Sequence, residues 1–376
     1  MDSPDPTAPA TDPGRIPFRG GPPARHRLAL VVDPRFPGGT AAAVAAEVRA
    51  LAGRVDLRLF ALETAMFKGR RLNPVLEAAL EDAGLAPIWG APVIHADTVV
   101  FHNPSCLRFD AVLEPRISCT TALVVTHENF LRPDGSEGFD VAGCLEMIEA
   151  ALVCGRRHLA PISQNNRAGV LDWLEATGSA WTVTDFDWFN ICDFELVPPV
   201  AAPRDRRGRH SRSGFEKFPP METMLAHFPA HAAACTILGG DILLADAEAP
   251  PPRHWTIRRF GEMDVSSFLR ELDFFVYFTN PRWRESFGRV IAEAIAAGKL
   301  VITDPATART FGEAVVASDG GDLDDIIAEF VADPDRYRDF VIRAQSSLGR
   351  FSPEAFAGQV LARVAAPREA PADALL

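Results

Sequence analysis

From residue 27 onward, short apolar runs alternate with stretches in which apolar positions recur every three or four residues. RLALVVD at 27–33 has the length of a strand, and TAAAVAAEVRAL at 40–51 has the period of a helix. The alternation continues through VDLRLFAL, NPVLEAALEDAG, DTVVFHNP, TALVVTH, FDVAGCLEMIEAALV, LAPIS and NRAGVLDWLEATG. Continuous apolar strands separated by helices predict a parallel sheet covered on both faces. The pattern weakens between 195 and 234, where PPVAAPRDRRGRHSRSGFEKFPP carries proline, glycine and many charges. That stretch reads as an interdomain crossing and a functional loop. A second alternating region follows, with strands at CTILGGD, WTIRRFG, LDFFVYF, KLVITD and EAVVAS, and helices at VSSFLREL, SFGRVIAEAIAAG and DLDDIIAEFVAD. Helical stretches at 335–365 are long enough to pack back across a cleft.

These periods predict an α/β protein of two domains, each a parallel sheet covered by helices on both faces. The expected division is a disordered proline-rich tail at 1–24, a first domain at 25–195, a second at 196–350, and a helix at 351–376 that returns to the first domain before a final tail. A length of 376 residues with 47% hydrophobic and 23% charged residues suits two domains with separate cores. A net charge of −12 disfavours a nucleic-acid binder or an anionic-membrane surface, both of which need excess positive charge. Six cysteines are widely spaced without a C-x-x-C pair, which predicts reduced, buried thiols and no zinc site. No apolar run approaches the roughly 18 residues of a membrane span, and the N-terminus lacks a signal-peptide core. The expectation is therefore a cytoplasmic protein, with peripheral membrane contact left open.

The densest chemistry lies in LDFFVYFTNPRWRESFGRVIAEAIAAGKLVITD, a buried strand, a polar loop, a helix and another buried strand. A helical reading puts Phe287, Val290, Ile291, Ala294 and Gly298 on one face, and Glu285, Arg289 and Glu293 on the other. Ser286 and Gly288 then fall in the first turn, where unpaired N–H groups and the helix dipole receive a phosphate. Glu293 would lie roughly 12 Å along the axis from Glu285, at about 1.5 Å per residue. An anion site with a hydroxyl-accepting carboxylate beyond it matches a ribose beside a diphosphate. The competing reading is an exposed Arg289–Glu293 pair and an acid that merely precedes a helix.

In an otherwise acidic chain, RDRRGRHSRSGFEK at 204–217 concentrates Arg209, Arg212 and Lys217 among other cations. Such a cluster suits an anionic ligand or, alternatively, a solvated linker. PRFPGGTAAAV places Gly38 and Gly39 between the first strand and first helix, where glycine permits close backbone approach to a ligand or simple loop punctuation. His102 and His127 end apolar runs, at the carboxyl ends of predicted strands. A lone histidine there is commonly a structural hydrogen-bonder, and strand-end placement favours a site.

The Glu-Ser-Phe-Gly start at 285–288, the second glutamate at 293 and the small residues before Gly298 resemble the donor-site signature of family 4 retaining glycosyltransferases, of GT-B type. That resemblance is densest over 205–305 and fainter over 27–170. It implies two Rossmann-like domains facing across a cleft and a nucleoside-diphosphate sugar as donor. It also implies Glu293 as ribose ligand, Glu285 as the carboxylate near the sugar, and the backbone of Ser286, Phe287 and Gly288 toward diphosphate and sugar. The basic segment resembles the family's Gly-Arg loop with a downstream lysine, Arg209 and Lys217 being the matching positions for the leaving diphosphate. It departs in having Phe218 after the lysine and RDRR in place of an apolar strand, so the choice among Arg209, Arg212 and Lys217 stays open. Gly38 and Gly39 match the family's N-domain glycine loop, and His127 fits its strand-end histidine better than His102. Glu128 and Asn129 become candidates for the acceptor.

The resemblance implies transfer with retention to a glycan or lipid-linked acceptor, in bacterial surface polysaccharide synthesis, without a metal or other cofactor. Competing readings are a non-catalytic GT-B-shaped protein that binds a nucleotide sugar or a partner, and a nucleotide-sugar epimerase. Asp185-Phe186-Asp187 matches the Asp-x-Asp formula of metal-dependent transferases, but Asp333-Pro334-Asp335 does too, so chance explains the pattern.

Overall fold

The computed structural model describes residues 25–245 and 250–365. The expected tails at 1–24 and after 365 lie outside the described residues. Seven strands, β1 (Arg27–Val32), β2 (Asp56–Ala61), β3 (Ile88–Trp89), β4 (Val93–His102), β5 (Arg116–Thr126), β6 (Leu152–Pro161) and β7 (Thr182–Val183), form one sheet in the order β3-β2-β1-β4-β5-β6-β7. Six more, β8 (Arg206–His210), β9 (Ala234–Leu238), β10 (Trp255–Arg258), β11 (Phe274–Tyr277), β12 (Leu300–Thr303) and β13 (Val316–Ala317), form a second in the order β10-β9-β8-β11-β12-β13. Every ladder in both sheets is parallel.

The helices of the first part are α1 (Gly39–Leu51), α2 (Pro74–Asp82), α3 (Val141–Ala151) and α4 (Gln164–Thr177). Those of the second are α5 (Met221–His227), α6 (Asp241–Leu244), α7 (Val265–Arg270), α8 (Arg289–Ala296), α9 (Pro305–Phe311), α10 (Leu323–Ala332), α11 (Pro334–Ser347) and α12 (Pro353–Arg363).

β1 shows why the sheets are sandwiched. Leu28, Leu30 and Val32 enter one apolar cluster and Ala29 and Val31 another, so both faces need a helical cover. In each sheet the strand order reverses beside the first strand of its unit, between β1 and β4 and between β8 and β11. The crevice at such a reversal, beyond the carboxyl ends of the strands, is where open α/β sheets bind ligands.

The arginine-rich run departs from the expectation of a crossing loop. Arg206–His210 is a central strand of the second sheet, hydrogen-bonded to β9 and β11. Two of its three arginines are neutralised by carboxylates: Arg206 makes a two-pronged pair with the fully buried Asp273 at 2.7 Å, and buried Arg207 reaches Asp205 and Asp324 at 2.7 and 2.6 Å. A buried charge is tolerated only when paired and hydrogen-bonded. Asp273 and Asp324 lie far away in sequence, which is why the local pattern resembled a loop.

Residues 184–205 carry the chain between the sheets without regular structure. Val197 donates its N–H to Ala296 at 2.8 Å, laying this segment across the end of α8. α12 packs against α1, and its Phe356 meets Trp188 edge to face at 5.3 Å.

Candidate functional site

The helix of the Glu285 segment begins later than its periodicity predicts. α8 starts at Arg289, with Gly288 as its N-cap at φ 89°, so Glu285, Ser286 and Phe287 precede it in the loop after β11. Gly288 breaks the period, because its left-handed backbone disfavours any side chain. The axial spacing expected between the two glutamates therefore does not apply. No side chain caps Gly288, leaving the first N–H groups of α8 open to an anion.

Glu285 turns inward. One carboxylate oxygen accepts from Lys217 Nζ at 2.7 Å and from the Tyr277 hydroxyl at 2.7 Å, and the other from the Ser286 N–H at 3.2 Å. Burial pushes this carboxyl up, but the Lys217 charge and these hydrogen bonds outweigh it and hold it below the usual carboxylate range. Tyr277 ends β11 and Lys217 lies in the loop after β8, so the cluster sits at the reversal point of the second sheet. Tyr277 had no signal in the sequence beyond its place at the end of an apolar run.

Glu293 lies on α8, with Arg289 Nε 3.2 Å from one oxygen and His210 Nε2 3.5 Å from the other. Its side chain is 21% exposed, so it is turned neither to bulk solvent nor into the core. Burial raises its pKa, and the Arg289 charge offsets part of the rise. His210, at the end of β8, is held neutral by burial and the Arg209 charge, with its pKa pushed down to about 4. It packs edge to face on Phe268 and Phe275.

The three candidate cations part company. Lys217 joins Glu285. Arg212 is exposed and pairs with Glu216 at 2.6 Å within its own loop. Arg209 is 1% exposed, and its guanidinium donates to the carbonyls of Phe278, at 2.8 Å, and Lys217. It also stacks between the rings of Phe218 and Tyr277 at 4.5 and 5.1 Å. Burial without a carboxylate lowers its pKa to about 10, so it stays cationic. Arg209 thereby ties the Lys217 loop to the end of β11 through its two terminal nitrogens, while its buried Nε has no partner among the described residues.

The first domain meets this loop through polar side chains. Asn129 donates to the Arg284 carbonyl at 2.8 Å, Asn165 to the Glu285 carbonyl at 2.7 Å, and the Ser163 hydroxyl to the Ser286 carbonyl. Asn129 follows β5, and Ser163 and Asn165 open α4. The carboxyl ends of the two sheets therefore face each other. Their sequence signal was faint: Asn129 sits beside a strand-end histidine, and Ser163 is a helix cap. Glu128 pairs with Arg108 at 2.6 Å.

His127 directly follows β5, with Nε2 3.0 Å from His102 Nδ1. Burial and His102 hold its pKa well below the ordinary histidine value. Gly38 and Gly39 form the exposed start of α1, Gly38 at φ 105° with open space beyond its Cα. They lie after β1, the strand beside β4 and its terminal His102. Phe287 is a core residue, packed on Phe311 and Phe351 at 5.8 and 5.4 Å. Asp185 and Asp187 pair with Arg363 and Arg167, and Asp333 caps α11.

No known family's sequence profile matches the chain, and no curated relative does. Among solved structures, it is similar to HepE of Anabaena in complex with UDP and glucose, at TM-score 0.61 and 15% identity over 90% of this chain and 99% of that one. Sucrose-phosphate synthase of Thermosynechococcus elongatus gives TM-score 0.58 at 15% identity over 89% and 97%. Trehalose-6-phosphate synthase OtsA gives 0.54 at 11% over 91% and 100%. At these identities the likeness is one of architecture: the chain has the GT-B fold, two doubly wound Rossmann-like domains facing across a cleft.

Proposed function

We propose that this protein is a glycosyltransferase that takes a sugar from a nucleoside diphosphate, with a uridine diphosphate sugar as the first donor to try. The observation that carries the reading is the meeting of Glu285, Lys217 and the open start of α8 at the reversal point of the second sheet, with Glu293 one helix turn beyond. HepE, which shares the fold, was captured with UDP and with UDP-glucose, and that supports the choice of base.

Transfer from such a donor develops negative charge on the leaving diphosphate and positive charge on the sugar ring. In this reading, Lys217 and the amino end of α8 stabilise the first. Glu293 accepts from the ribose hydroxyls, and Glu285 fixes Lys217 beside the sugar. Gly288 offers its backbone N–H, the Ser286 N–H being held by Glu285 until a donor displaces it, and His127, Gly38 and Gly39 approach from the other domain. The rest of the reading is retention of configuration, no metal, a glycan or lipid-linked acceptor, and a cytoplasmic role in bacterial surface polysaccharide synthesis. No helix among the described residues is long and apolar enough to cross a membrane.

A thermal-shift screen against UDP, GDP and ADP sugars, repeated on Glu293→Ala, tests the site. One nucleotide class is expected to stabilise the protein by a few degrees, as about 1 kcal/mol of binding shifts a chain of this size by roughly 2–4 °C or less. The variant should lose most of that shift; a variant that keeps it removes Glu293 from the nucleotide site. One observation favours a second reading, a binder without turnover: Arg209 donates to backbone carbonyls, Arg212 pairs with Glu216 and Lys217 with Glu285, so each cation expected at the diphosphate is already engaged. Product formation from a radiolabelled donor separates the two.

A further inference from the structure

Behind His127 lies a buried polar chain that the proposed reaction has not used. Glu47, on the inward face of α1, is 1% exposed among alanines and valines. Its carboxylate oxygen Oε2 is 3.2 Å from His102 Nε2, and His102 Nδ1 is 3.0 Å from His127 Nε2. His102 is completely buried, and neither its Nε2 nor Glu47 Oε2 has another partner among the described residues. Their contact is off the N–H axis, as catalytic hydrogen bonds often are before substrate binds. Asn103, which follows His102, is the one non-glycine residue with positive φ among the described residues, at 58°. Such a backbone costs energy and gathers at sites where a side chain must be aimed.

A carboxylate buried in an apolar helix face is unfavourable unless something is gained from its charge. The gain here is direction. A carboxylate only accepts, so at 3.2 Å it favours Nε2 as the protonated nitrogen of a singly protonated His102. The lone pair of such a ring is on His102 Nδ1, which then accepts from His127 Nε2–H 3.0 Å away. His127 Nδ1 is then bare. It has no protein partner among the described residues and is not among the sealed polar atoms, and Asn129, two residues on, already reaches across the cleft.

We infer that Glu47 and His102 are positioning residues, which fix His127 in the tautomer protonated at Nε2 so that its Nδ1 lone pair accepts a hydroxyl of the bound donor sugar. This rests on the proposed glycosyl transfer for the identity of the hydroxyl, but the tautomer itself does not. The charge of Glu47 enters only through this chain, since it touches no cleft residue directly. Its carboxylate orients the two imidazoles, and no proton leaves the chain.

The test uses the full chain with histidines labelled in nitrogen-15. Long-range proton–nitrogen spectra of the wild type are expected to show His127 protonated at Nε2 and bare at Nδ1. In Glu47→Gln the amide can face His102 with either its oxygen or its NH2, so His127 should lose that single tautomer. With a UDP-sugar, the same variant should lose about tenfold in kcat while its donor KM changes less than about threefold, the signature of an interaction made in the transition state. Both results are required. His127 protonated at Nδ1 in the wild type, or a variant with unchanged tautomer or unchanged kcat, overturns the inference. The wild-type spectrum decides even where the variant folds poorly, and His102→Gln is the second variant. A wild type that turns over no nucleotide sugar but shows the expected tautomer sinks the proposed reaction instead.

Discussion

Glu285 and Glu293 belong to one motif, yet their environments push their carboxyls in opposite directions. Glu285 is drawn below the usual range by Lys217 and Tyr277, while Glu293 is raised by burial that Arg289 only partly offsets. A depressed value in the folded state means that the unfolded chain binds the proton more readily. The stabilisation from Glu285 is therefore full above the ordinary carboxylate pKa of about 4.3 and is lost as pH falls through the folded value. In Lys217→Met only burial and the remaining hydrogen bonds act on Glu285. The acid-side slope of unfolding free energy against pH should then flatten, and urea denaturation at a series of pH values measures it; an unchanged slope would mean that Lys217 does not govern Glu285. Arg209 poses a different question, because its guanidinium already satisfies two carbonyls and two rings. Arg209→Met is expected to cost about 2–4 kcal/mol of stability, the range for breaking a buried charge-assisted network. A loss under about 0.5 kcal/mol would free Arg209 to act as a ligand instead.

At the scale of elements, most strands were legible because a parallel strand covered on both faces is a continuous apolar run, as in β1, β11 and β12. β8 was not, since Arg206 and Arg207 are internal only by virtue of Asp273 and Asp324, 67 and 117 residues away. The order of elements around Glu285 was legible, but the start of α8 was misplaced by the apolar spacing of Phe287, which the glycine at 288 takes out of the helix. The clamp of Asn129, Ser163 and Asn165 was legible only as caps and neighbours, because its partners are backbone carbonyls, which carry no sequence signal. The end of α8 offers the sharper test. Gly298 has φ 78°, and a Cβ there would lie 2.5 Å from the Val197 carbonyl, where the interdomain segment crosses. The left-handed backbone alone costs a side chain about 1–2 kcal/mol, so Gly298→Ala should lose about 2–4 kcal/mol once the crossing is forced apart. Gly358→Ala on the exposed face of α12, with nothing within 4 Å of the new atom, should instead gain about 0.5–1 kcal/mol. Chemical denaturation of both variants checks the pair, and equal effects would refute the close crossing.

Across the whole molecule two kinds of contact join the domains, and their strengths decide where motion occurs. One is aromatic: Phe356 packs on Trp188 and Phe189, and Phe351 on Phe189, Phe287 and Phe311, so a single apolar cluster runs from the first sheet to the start of α8. The other is the polar clamp on the carbonyls of 284–286. Opening the clamp exchanges protein hydrogen bonds for water, and each is worth only about 0.5–1.5 kcal/mol net. Opening the aromatic cluster exposes rings whose removal costs about 3–5 kcal/mol each. The cleft should therefore part at the clamp and pivot on the aromatics, which would let a donor reach Glu285 and Glu293 without unfolding either domain. Asn165→Ala tests the weak side: stability should fall by no more than about 1.5 kcal/mol, whereas amide exchange at 284–288 and at the start of α4 should quicken. Phe356→Ala tests the strong side, and should lose about 3–5 kcal/mol with exchange raised throughout α12 and along α1. If Asn165→Ala unfolds the protein as readily as Phe356→Ala, the clamp is part of the core and closure of the cleft is not a separable motion.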